Sequence, residues 1–227
     1  MSTHHKKPIA IIPAKGFSNR VKNKNLRNIN GKPLIVYTIE KCIKSKLFSD
    51  IIINTDSQKI ISIAKKNNCS FFKRPKALSI GSTPLIKVIN YMTKALDLID
   101  QNYGILLATS PLRHELDLKN AWKMYKKYKK SVVSVSKYET PIQLAHFIDG
   151  RGFLKPYFPK NYSNSTKSTN HRSAYKYNGS IIFNNSSTLL NQKNLIGKNP
   201  IPYIMPETRS IDIDHEYQIQ LVKKLIN

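Results

Sequence analysis

Short apolar runs alternate with segments of helical periodicity over the first 136 residues of this 227-residue chain. The runs have the β-branched and apolar character of buried strands and lie at residues 9–12, 50–55, 70–72, 103–108 and 131–136. Apolar residues recur at helical spacing in the segments between them, residues 34–44, 58–67, 85–99 and 116–128. This alternation predicts an α/β fold with a mostly parallel sheet and helices on both faces. In such sheets ligands bind beyond the carboxyl ends of the strands, so the loops that follow residues 12, 55 and 108 should share one crevice.

The regular alternation stops near residue 138. Residues 138–175 are rich in Asn, Ser, Lys and Tyr and include a polar stretch at 161–170. They form either a flexible insertion or an excursion that packs on another subunit or covers the site. Strand character returns at 180–183, 203–205 and 210–214, and a last helix is predicted at 215–226. The length suits a single domain over residues 1–227.

The formal net charge of +25 favours a polyanionic partner, such as nucleic acid, a membrane surface or a phosphorylated substrate. However, the lysines are spread along the whole chain and accompany abundant Asn and Ile. We therefore expect most of this charge to be solvated surface. Neither nucleic-acid binding nor membrane insertion is expected.

The amino-terminal residues are polar and basic, and the apolar run after them is too short for a signal peptide. No apolar run approaches the ~20 residues of a membrane-spanning helix, so a cytoplasmic protein is expected. Cys42 and Cys69 lack metal-ligand spacing and are expected to be buried thiols.

The first predicted strand leads into a loop that carries Gly16 and Ser18 among several cations. Backbone N–H groups and Lys or Arg side chains in such a loop can both face a phosphate chain. The alternative is a solvated basic loop after a core strand. Composition alone leaves both interpretations open.

Asp212 and Asp214 flank Ile213 near the end of the chain. In an extended segment, residues two apart point to the same face, so both carboxylates would face the crevice and Ile213 the core. Two adjacent carboxylates suit Mg2+, which also takes water and substrate phosphate oxygens. Alternatively, Asp214 caps the last helix, which leaves Asp212 unexplained.

Three further polar residues follow predicted strands. Asp56 either binds ligand or, as we expect, caps the next helix. Arg74, held before Pro75, can hydrogen-bond a base carbonyl or a phosphate, or lie on the surface. Arg113 has the same two interpretations.

Several catalytic motifs are absent from the sequence: a Ser–His–Asp pattern, a Walker A motif, a metal-type His/Cys cluster and the dinucleotide-binding glycines. Their absence argues against a hydrolase, a P-loop NTPase and an NAD enzyme. A basic loop combined with paired carboxylates fits nucleotidyl transfer, in which cations and Mg2+ stabilise the charge on the phosphates.

Taken in order and spacing, these segments resemble the acylneuraminate cytidylyltransferases, also called CMP-sialic acid synthetases. The matching pieces are residues 11–18, 24–26, 30–34, Ser57, Arg74-Pro75, 109–113, Asn178-Gly179 and 210–214. The resemblance implies a Rossmann-like nucleotidyltransferase fold with residues 138–175 as a dimerisation excursion. It also implies Mg2+-dependent transfer of CMP from CTP to the anomeric hydroxyl of a nine-carbon α-keto acid sugar, with release of pyrophosphate, by a homodimer.

The resemblance assigns roles residue by residue. The implied nucleotide-binding residues are Ala14, Lys15, Gly16, Ser18, Asn19, Arg20, Lys24, Asn25, Arg74 and Ser82. Asp212 and Asp214 are the implied metal ligands, and Lys15, Lys24 and Asp212 are the implied catalytic residues. The implied sugar-binding residues are Ser110, Arg113, Arg172 and Asn178.

The chain departs from the family pattern at a few positions. Lys15 replaces an arginine, Asn19 replaces a lysine, and Leu107-Ala108 replaces a Gln-Pro pair whose glutamine helps to bind the sugar. The acceptor therefore stays open between neuraminate and related acids such as legionaminate or pseudaminate. The alternatives are an octulosonate cytidylyltransferase and, in a different class, a basic non-catalytic nucleic-acid-binding protein.

Overall fold

A seven-stranded sheet organises the chain in a computed structural model that describes residues 6–18, 20–159 and 171–226. Its strands are β1 (Ile9–Pro13), β4 (Asp50–Thr55), β5 (Ser70–Lys73), β6 (Asn102–Ile105), β7 (Val132–Lys137), β10 (Tyr175–Asn185) and β11 (Ile201–Ile204). Two short hairpins lie outside this sheet: β2 (Asn28–Ile29) with β3 (Lys32–Pro33), and β8 (His146–Ile148) with β9 (Leu154–Pro156). The strand order is β11-β7-β10-β6-β1-β4-β5.

The sheet is parallel except at β10. This strand pairs antiparallel with both β6 and β7, whereas β1, β4, β5 and β6 pair in parallel. The pairing of β10 with β7 shifts register between Tyr177 and Ile182, and Gly179 lies in the irregularity with φ +66. A mostly parallel sheet is therefore confirmed, and the reversed strand carries the Asn178-Gly179 pair at its bulge.

Helices cover both faces of the sheet, as predicted. They are α1 (Leu34–Ser45), α2 (Gln58–Lys66), α3 (Leu85–Ala95), α4 (Glu115–Tyr128), α5 (Ser186–Leu190) and α6 (Glu216–Leu225). Alternate residues of β1 enter different cores: Ile12 packs with residues of α1, α2 and α4, and Ile11 packs with residues of α3 and α5. A third cluster joins Leu34 of α1 and Ile219 of α6 to Ile213.

Most predicted elements agree with the structure to within one or two residues, but four differ. The strand predicted at 180–183 is part of the longer strand β10, which begins five residues earlier. The helix predicted at 85–99 ends at Ala95, because Asp97 and Asp100 adopt left-handed φ values of 49 and 54. The strand predicted at 103–108 ends at Ile105, where the chain turns towards residues 107–110. Residues 210–214 form no strand; Ile213 N–H donates to Thr109 O instead of to a ladder partner.

Cys42 and Cys69 are both buried free thiols, as predicted. In the part of the chain that the structure describes, no helix combines the length and apolarity needed to cross a bilayer. The predicted polar stretch at 161–170 lies outside the described residues.

Candidate active site

A cleft of about 550 Å³ opens at the carboxyl-terminal edge of the sheet. It lies between the loop after β1, the loop after β6 and residues 210–214. Four cationic and two acidic side chains line it: Lys15, Arg20, Lys24, Arg74, Asp212 and Asp214. Of the three loops predicted to share one crevice, those after β1 and β6 line the cleft, and the loop after β4 does not.

The loop after β1 is anchored by its backbone. Gly16 N–H donates to Asp56 Oδ1 at 2.7 Å, and the Asn25 side-chain amide donates to Lys15 O at 2.9 Å. A Cβ on Gly16 would lie 2.8 Å from Ser57 Cβ, so only glycine allows this approach. These anchors use Gly16, Asn25 and the backbone of Lys15, so the Lys15 and Lys24 side chains are available to line the cleft.

The expectation that Asp56 caps α2 is wrong. Ser57 is the N-cap residue, and its side chain accepts from Ile60 N–H. Asp56 instead receives the Gly16 N–H and so fixes the basic loop. Asp and Ser are both common helix caps. The bond from Gly16, 40 residues earlier in the chain, engages Asp56 and leaves Ser57 as the cap.

Lys24 bridges the basic loop and the paired carboxylates. Its ammonium donates to Ile213 O at 2.6 Å and to Asp214 Oδ1 at 3.0 Å. Arg20 Nη1 donates to Asp214 Oδ2 at 2.9 Å. Burial opposes ionisation of Asp214, but the bonds from Lys24 and Arg20 outweigh it and hold the pKa of that carboxyl below its usual value.

Asp212 has different surroundings. Burial raises the pKa of its carboxyl, the nearby Asp214 adds to the rise, and Thr109, Lys24 and Arg113 oppose it. Its Oδ1 atom is buried and has no hydrogen-bond partner within the described residues. A buried carboxylate oxygen without a donor is costly unless a cation or a ligand satisfies it.

The two aspartates fit a divalent cation as part of its ligand set. Ile213 is fully buried between them, so the predicted alternation holds without a strand. No group of three or more His, Cys, Asp or Glu side chains suited to a metal occurs among the described residues. The remaining ligands would therefore be water and substrate phosphate oxygens, as Mg2+ commonly takes.

The alternative role of Asp214 as a helix cap is also excluded. The N-cap residue of α6 is His215, and Gln218 Oε1 accepts the backbone N–H groups of Asp214 and His215 at 2.6 and 2.8 Å. The Asp214 carboxylate is engaged with Lys24 and Arg20. It is therefore part of the cleft rather than of the helix terminus.

Arg74 lines the cleft in a fixed orientation. Its Nε donates to Asn54 Oδ1 at 2.9 Å and its Nη2 to Asn54 O at 3.0 Å. The residue is buried, which lowers the pKa of the guanidinium. Neither bond uses Nη1, so the side chain lines the cleft with a preset planar donor group.

The loop after β6 is held from behind by Arg113. This arginine is completely buried and donates to the carbonyls of Leu107 and Ser110. Burial lowers the pKa of its guanidinium to about 10. Ser110 is also fully buried and donates to Asn178 O at 3.2 Å. The implied sugar ligands Ser110 and Arg113 thus lie beneath the loop, outside the lining of the cleft.

A second cavity of about 340 Å³ adjoins the cleft, and Asp212 lines both. Its other lining residues are Ser136, Lys137, Glu139, Lys176, Tyr177, Asn178, Glu207, Ser210, Ile211, Tyr217, Gln218 and Leu221. Of the implied sugar ligands, only Asn178 lies here. The sequence does not predict Lys137, Lys176 or Tyr177 as site residues, because the pairing of β7 with β10 that brings them together leaves no short-range signal.

The remaining implied residues are less central. Ala14 is fully buried at the end of β1, with its N–H on Asn54 O. Ser82 is exposed between Gly81 and Thr83, which line the cleft although Ser82 does not. Arg172 is exposed and lines neither cavity. Asn19 lies outside the described residues.

Two solved structures share this architecture over nearly the whole chain. CMP:2-keto-3-deoxy-manno-octonic acid synthetase complexed with CTP matches with a TM-score of 0.70 at 12% identity, covering 97% of this chain and 98% of that one. The 4-diphosphocytidyl-2C-methyl-D-erythritol synthase of Anaerococcus prevotii matches with a TM-score of 0.64 at 14% identity, covering 96% and 95%. The fold is therefore of the nucleotidyltransferase type.

The sequence matches the cytidylyltransferase family over residues 9–209, and the chain belongs to that family. It is 32% identical to the N-acylneuraminate cytidylyltransferase of Escherichia coli over 95% of this chain, which spans about half (51%) of that protein. It is 29% identical to the pseudaminic acid cytidylyltransferase of Campylobacter jejuni over 96% of both chains. It is 30% identical to the CMP-N,N'-diacetyllegionaminic acid synthase of Legionella pneumophila over 96% of this chain and 95% of that one.

Proposed function

We propose that this protein transfers CMP from CTP to the anomeric hydroxyl of a nonulosonic acid and releases pyrophosphate. The observation that carries the proposal is the position of Asp212 on the wall common to the cationic cleft and the adjoining cavity. Nucleotide and acceptor held in these two spaces would meet at that carboxylate. The names of the relatives, which specify neuraminic, pseudaminic and legionaminic acids, support this acceptor class.

We assign different cleft residues to the triphosphate and to the base of the nucleotide. We assign the triphosphate to the loop after β1, where Lys15, Ser18, Arg20 and Lys24 line the cleft. Preset cations at this position neutralise charge that builds on the leaving pyrophosphate. Arg74, locked on Asn54, suits recognition of the cytosine carbonyl.

We assign Mg2+ to Asp212 and Asp214. When bound, the ion would polarise the α-phosphate towards attack by the sugar hydroxyl. The protein's own contribution is to hold both carboxylates at the cleft through the buried Ile213 and to keep Lys24 beside them. The anomeric hydroxyl would lose its proton to solvent as its oxygen bonds to the α-phosphorus, and the bond from that phosphorus to pyrophosphate would break.

The adjoining cavity is the proposed acceptor site. Its lining carries both signs of charge: Lys137 and Lys176 are the cations available to the sugar carboxylate, and Glu139 and Glu207 are acidic. Tyr177 and Asn178 supply polar groups. Leu107 contributes an apolar side chain at the junction, where its Cδ1 would lie 2.9 Å from a Cβ built on Gly179. An apolar junction favours an acceptor with few hydroxyls at that point.

We also propose a homodimer formed through the excursion. The β8–β9 hairpin and the residues around it expose Phe147, Ile148, Phe153, Leu154, Tyr157 and Phe158, with Ile148 72% and Leu154 67% exposed. A contiguous apolar surface of this kind usually marks an interface. CTP is an intracellular nucleotide, which suits a reaction in the cytoplasm.

Pyrophosphate release tests the function directly. We expect turnover with CTP and Mg2+ in the presence of a neuraminic, legionaminic or pseudaminic acid, and little turnover with ATP, GTP or UTP. Faster turnover with an octulosonic acid would favour the octulosonate alternative. Salt-sensitive DNA binding without any nucleotide turnover would instead favour a nucleic-acid-binding protein.

A further inference from the structure

The segment that carries both metal-site aspartates has little structure of its own. Residues 210–214 join no helix or strand, so no ladder of backbone bonds fixes them. Two backbone bonds hold it: Ser210 N–H donates to Glu207 O at 2.9 Å, and Ile213 N–H donates to Thr109 O in the loop after β6 at 2.8 Å. The carboxyl-terminal end is closed by Gln218 of α6. At the amino-terminal end, the Ser210 hydroxyl donates to Pro206 O at 2.8 Å and accepts from the Asn178 amide at 2.9 Å, and a further anchor comes from the preceding residue.

Arg209 provides that anchor through a bidentate ion pair. Its Nη2 donates to Asp117 Oδ1 at 2.8 Å and its Nε to Asp117 Oδ2 at 3.2 Å. The Asp117 side chain is only 2% exposed and that of Arg209 is 38% exposed. A paired fork on a buried carboxylate fixes both the distance and the plane of the guanidinium.

Asp117 is itself fixed by two other parts of the molecule. Its Oδ2 accepts His114 N–H at 2.8 Å, which closes the first turn of α4, and its Oδ1 accepts the Tyr203 hydroxyl of β11 at 2.9 Å. α4 begins directly after the loop 107–113 that lines the cleft. One carboxylate thus joins this loop, the edge strand and the aspartate segment.

We propose that Arg209 is a positioning residue that, through Asp117, sets where Asp212 and Asp214 stand against the loop after β6. Arg209 lines neither the cleft nor the adjoining cavity, so it would act without touching a substrate. The proposal rests on the proposed function, because it assigns the aspartates to a metal.

The test compares Arg209→Ala and Arg209→Lys with a matched control. Arg27→Ala removes another arginine ion pair of comparable exposure, that between Arg27 and Glu216, which follows residues 210–214 in the chain. Binding of Mn2+ in the presence of CTP is measured from the electron paramagnetic resonance signal of the free ion, alongside kcat and the KM for CTP.

We expect Arg209→Ala to weaken Mn2+ binding and lower kcat by about 10- to 100-fold, with the KM for CTP changed by less than about 3-fold. Arg209→Lys should recover part of both losses, and Arg27→Ala should leave both unchanged. If Arg209→Ala does not fold, Tyr203→Phe removes a single bond to the same carboxylate and should weaken Mn2+ binding by a few fold.

Normal Mn2+ binding in Arg209→Ala would overturn the positioning role. If the alanine variant does not fold, normal Mn2+ binding in both Arg209→Lys and Tyr203→Phe would overturn it. A loss that appears only in the KM for CTP would overturn it too. Failure of the proposed function looks different: the wild-type protein would bind Mn2+ with CTP but produce no pyrophosphate with any acceptor. In that case, weakened Mn2+ binding in Arg209→Ala would still support the role of Arg209.

Discussion

Asp212 and Asp214 stand two residues apart but have opposite electrostatic surroundings. Asp214 accepts from Lys24 and Arg20, which hold its pKa below the usual value. Asp212 is more deeply buried, and its pKa is raised. Under the proposed function, the unpartnered Oδ1 atom of Asp212 would be open to a bound cation, whereas both oxygens of Asp214 already accept from Lys24 and Arg20.

Lys24 is the lysine that we expect to matter most. We predict that Lys24→Ala lowers kcat/KM for CTP by about 100-fold, because it removes a preset cation from beside the carboxylates. Lys126→Ala, on the exposed surface of α4, is the matched control and should change kcat/KM by less than about 2-fold. Steady-state pyrophosphate release measures both. Equal effects would mean that the loop after β1 does not hold phosphate.

At the residue scale, the sequence predicts which side chains reach the cleft better than it predicts those beneath it. The Asp-Ile-Asp alternation places Ile213 in the core and both aspartates at the cleft. Arg113 is the opposite case, since an arginine after a loop motif looks like a ligand. Full burial of an arginine is rare, and no local pattern indicates it.

The loop after β1 depends on the close approach of Gly16 to Ser57. We predict that Gly16→Ala lowers kcat/KM for CTP by about 10- to 100-fold, because the added Cβ would lie 2.8 Å from Ser57 Cβ and displace the loop. Gly150→Ala is the control, since a Cβ there meets nothing within 4 Å. Unchanged kinetics in Gly16→Ala would show that the loop tolerates displacement.

The junction at Asp117 links stability to pH. Burial opposes its ionisation, but bonds from Arg209, His114 and Tyr203 outweigh burial and lower its pKa. A carboxyl with a lowered folded-state pKa adds stability above the unfolded-state pKa, about 4, and that stability is lost as pH falls through the folded-state value.

We therefore predict that Asp117→Asn lowers the free energy of unfolding by about 1–3 kcal/mol at pH 7 and that the difference shrinks below pH of about 4. Urea unfolding at several pH values measures this. Asp97→Asn, on an exposed turn, is the control. A difference between wild type and Asp117→Asn that stays constant with pH would contradict the prediction.

At the element scale, local patterns predicted most bounds, whereas features that depend on contacts between distant residues were not predictable. The strand at Asp50–Thr55 contains a β-branched run, and the helix at Leu34–Ser45 has apolar residues at helical spacing. The cap of α2 was not predictable, because Asp56 and Ser57 are both good caps. The bond from Gly16 N–H to Asp56 leaves Ser57 as the cap. Residues 210–214 have strand-like alternation but no neighbouring strand to pair with.

At the scale of the whole molecule, the exposed apolar surface of the β8–β9 hairpin predicts association. We expect Ile148→Asp and Leu154→Asp each to convert the dimer to a monomer in light scattering coupled to size exclusion, because a buried unpaired carboxylate opposes the interface. Leu116→Asp, an exposed leucine of α4, is the control and should stay dimeric. A wild-type protein that is monomeric at micromolar concentration would contradict the assigned interface.

The overall architecture followed from the alternation of strands and helices, since this pattern leaves few arrangements other than a covered parallel sheet. The reversed β10 was not predictable, because direction depends on how the excursion returns the chain to the sheet. That strand brings Tyr177 and Asn178 to the adjoining cavity. More residues of the proposed nucleotide site than of the proposed acceptor site were therefore predictable from the sequence.

The most direct test of the account is 31P NMR of the reaction of CTP and Mg2+ with a nonulosonic acid. We predict that one phosphodiester linking CMP to the sugar appears for each pyrophosphate released, and that Asp212→Ala forms neither while keeping the wild-type circular dichroism spectrum. Asp97→Asn should react like the wild type. Pyrophosphate without the phosphodiester, or near-normal turnover in Asp212→Ala, would contradict cytidylyl transfer at this cleft.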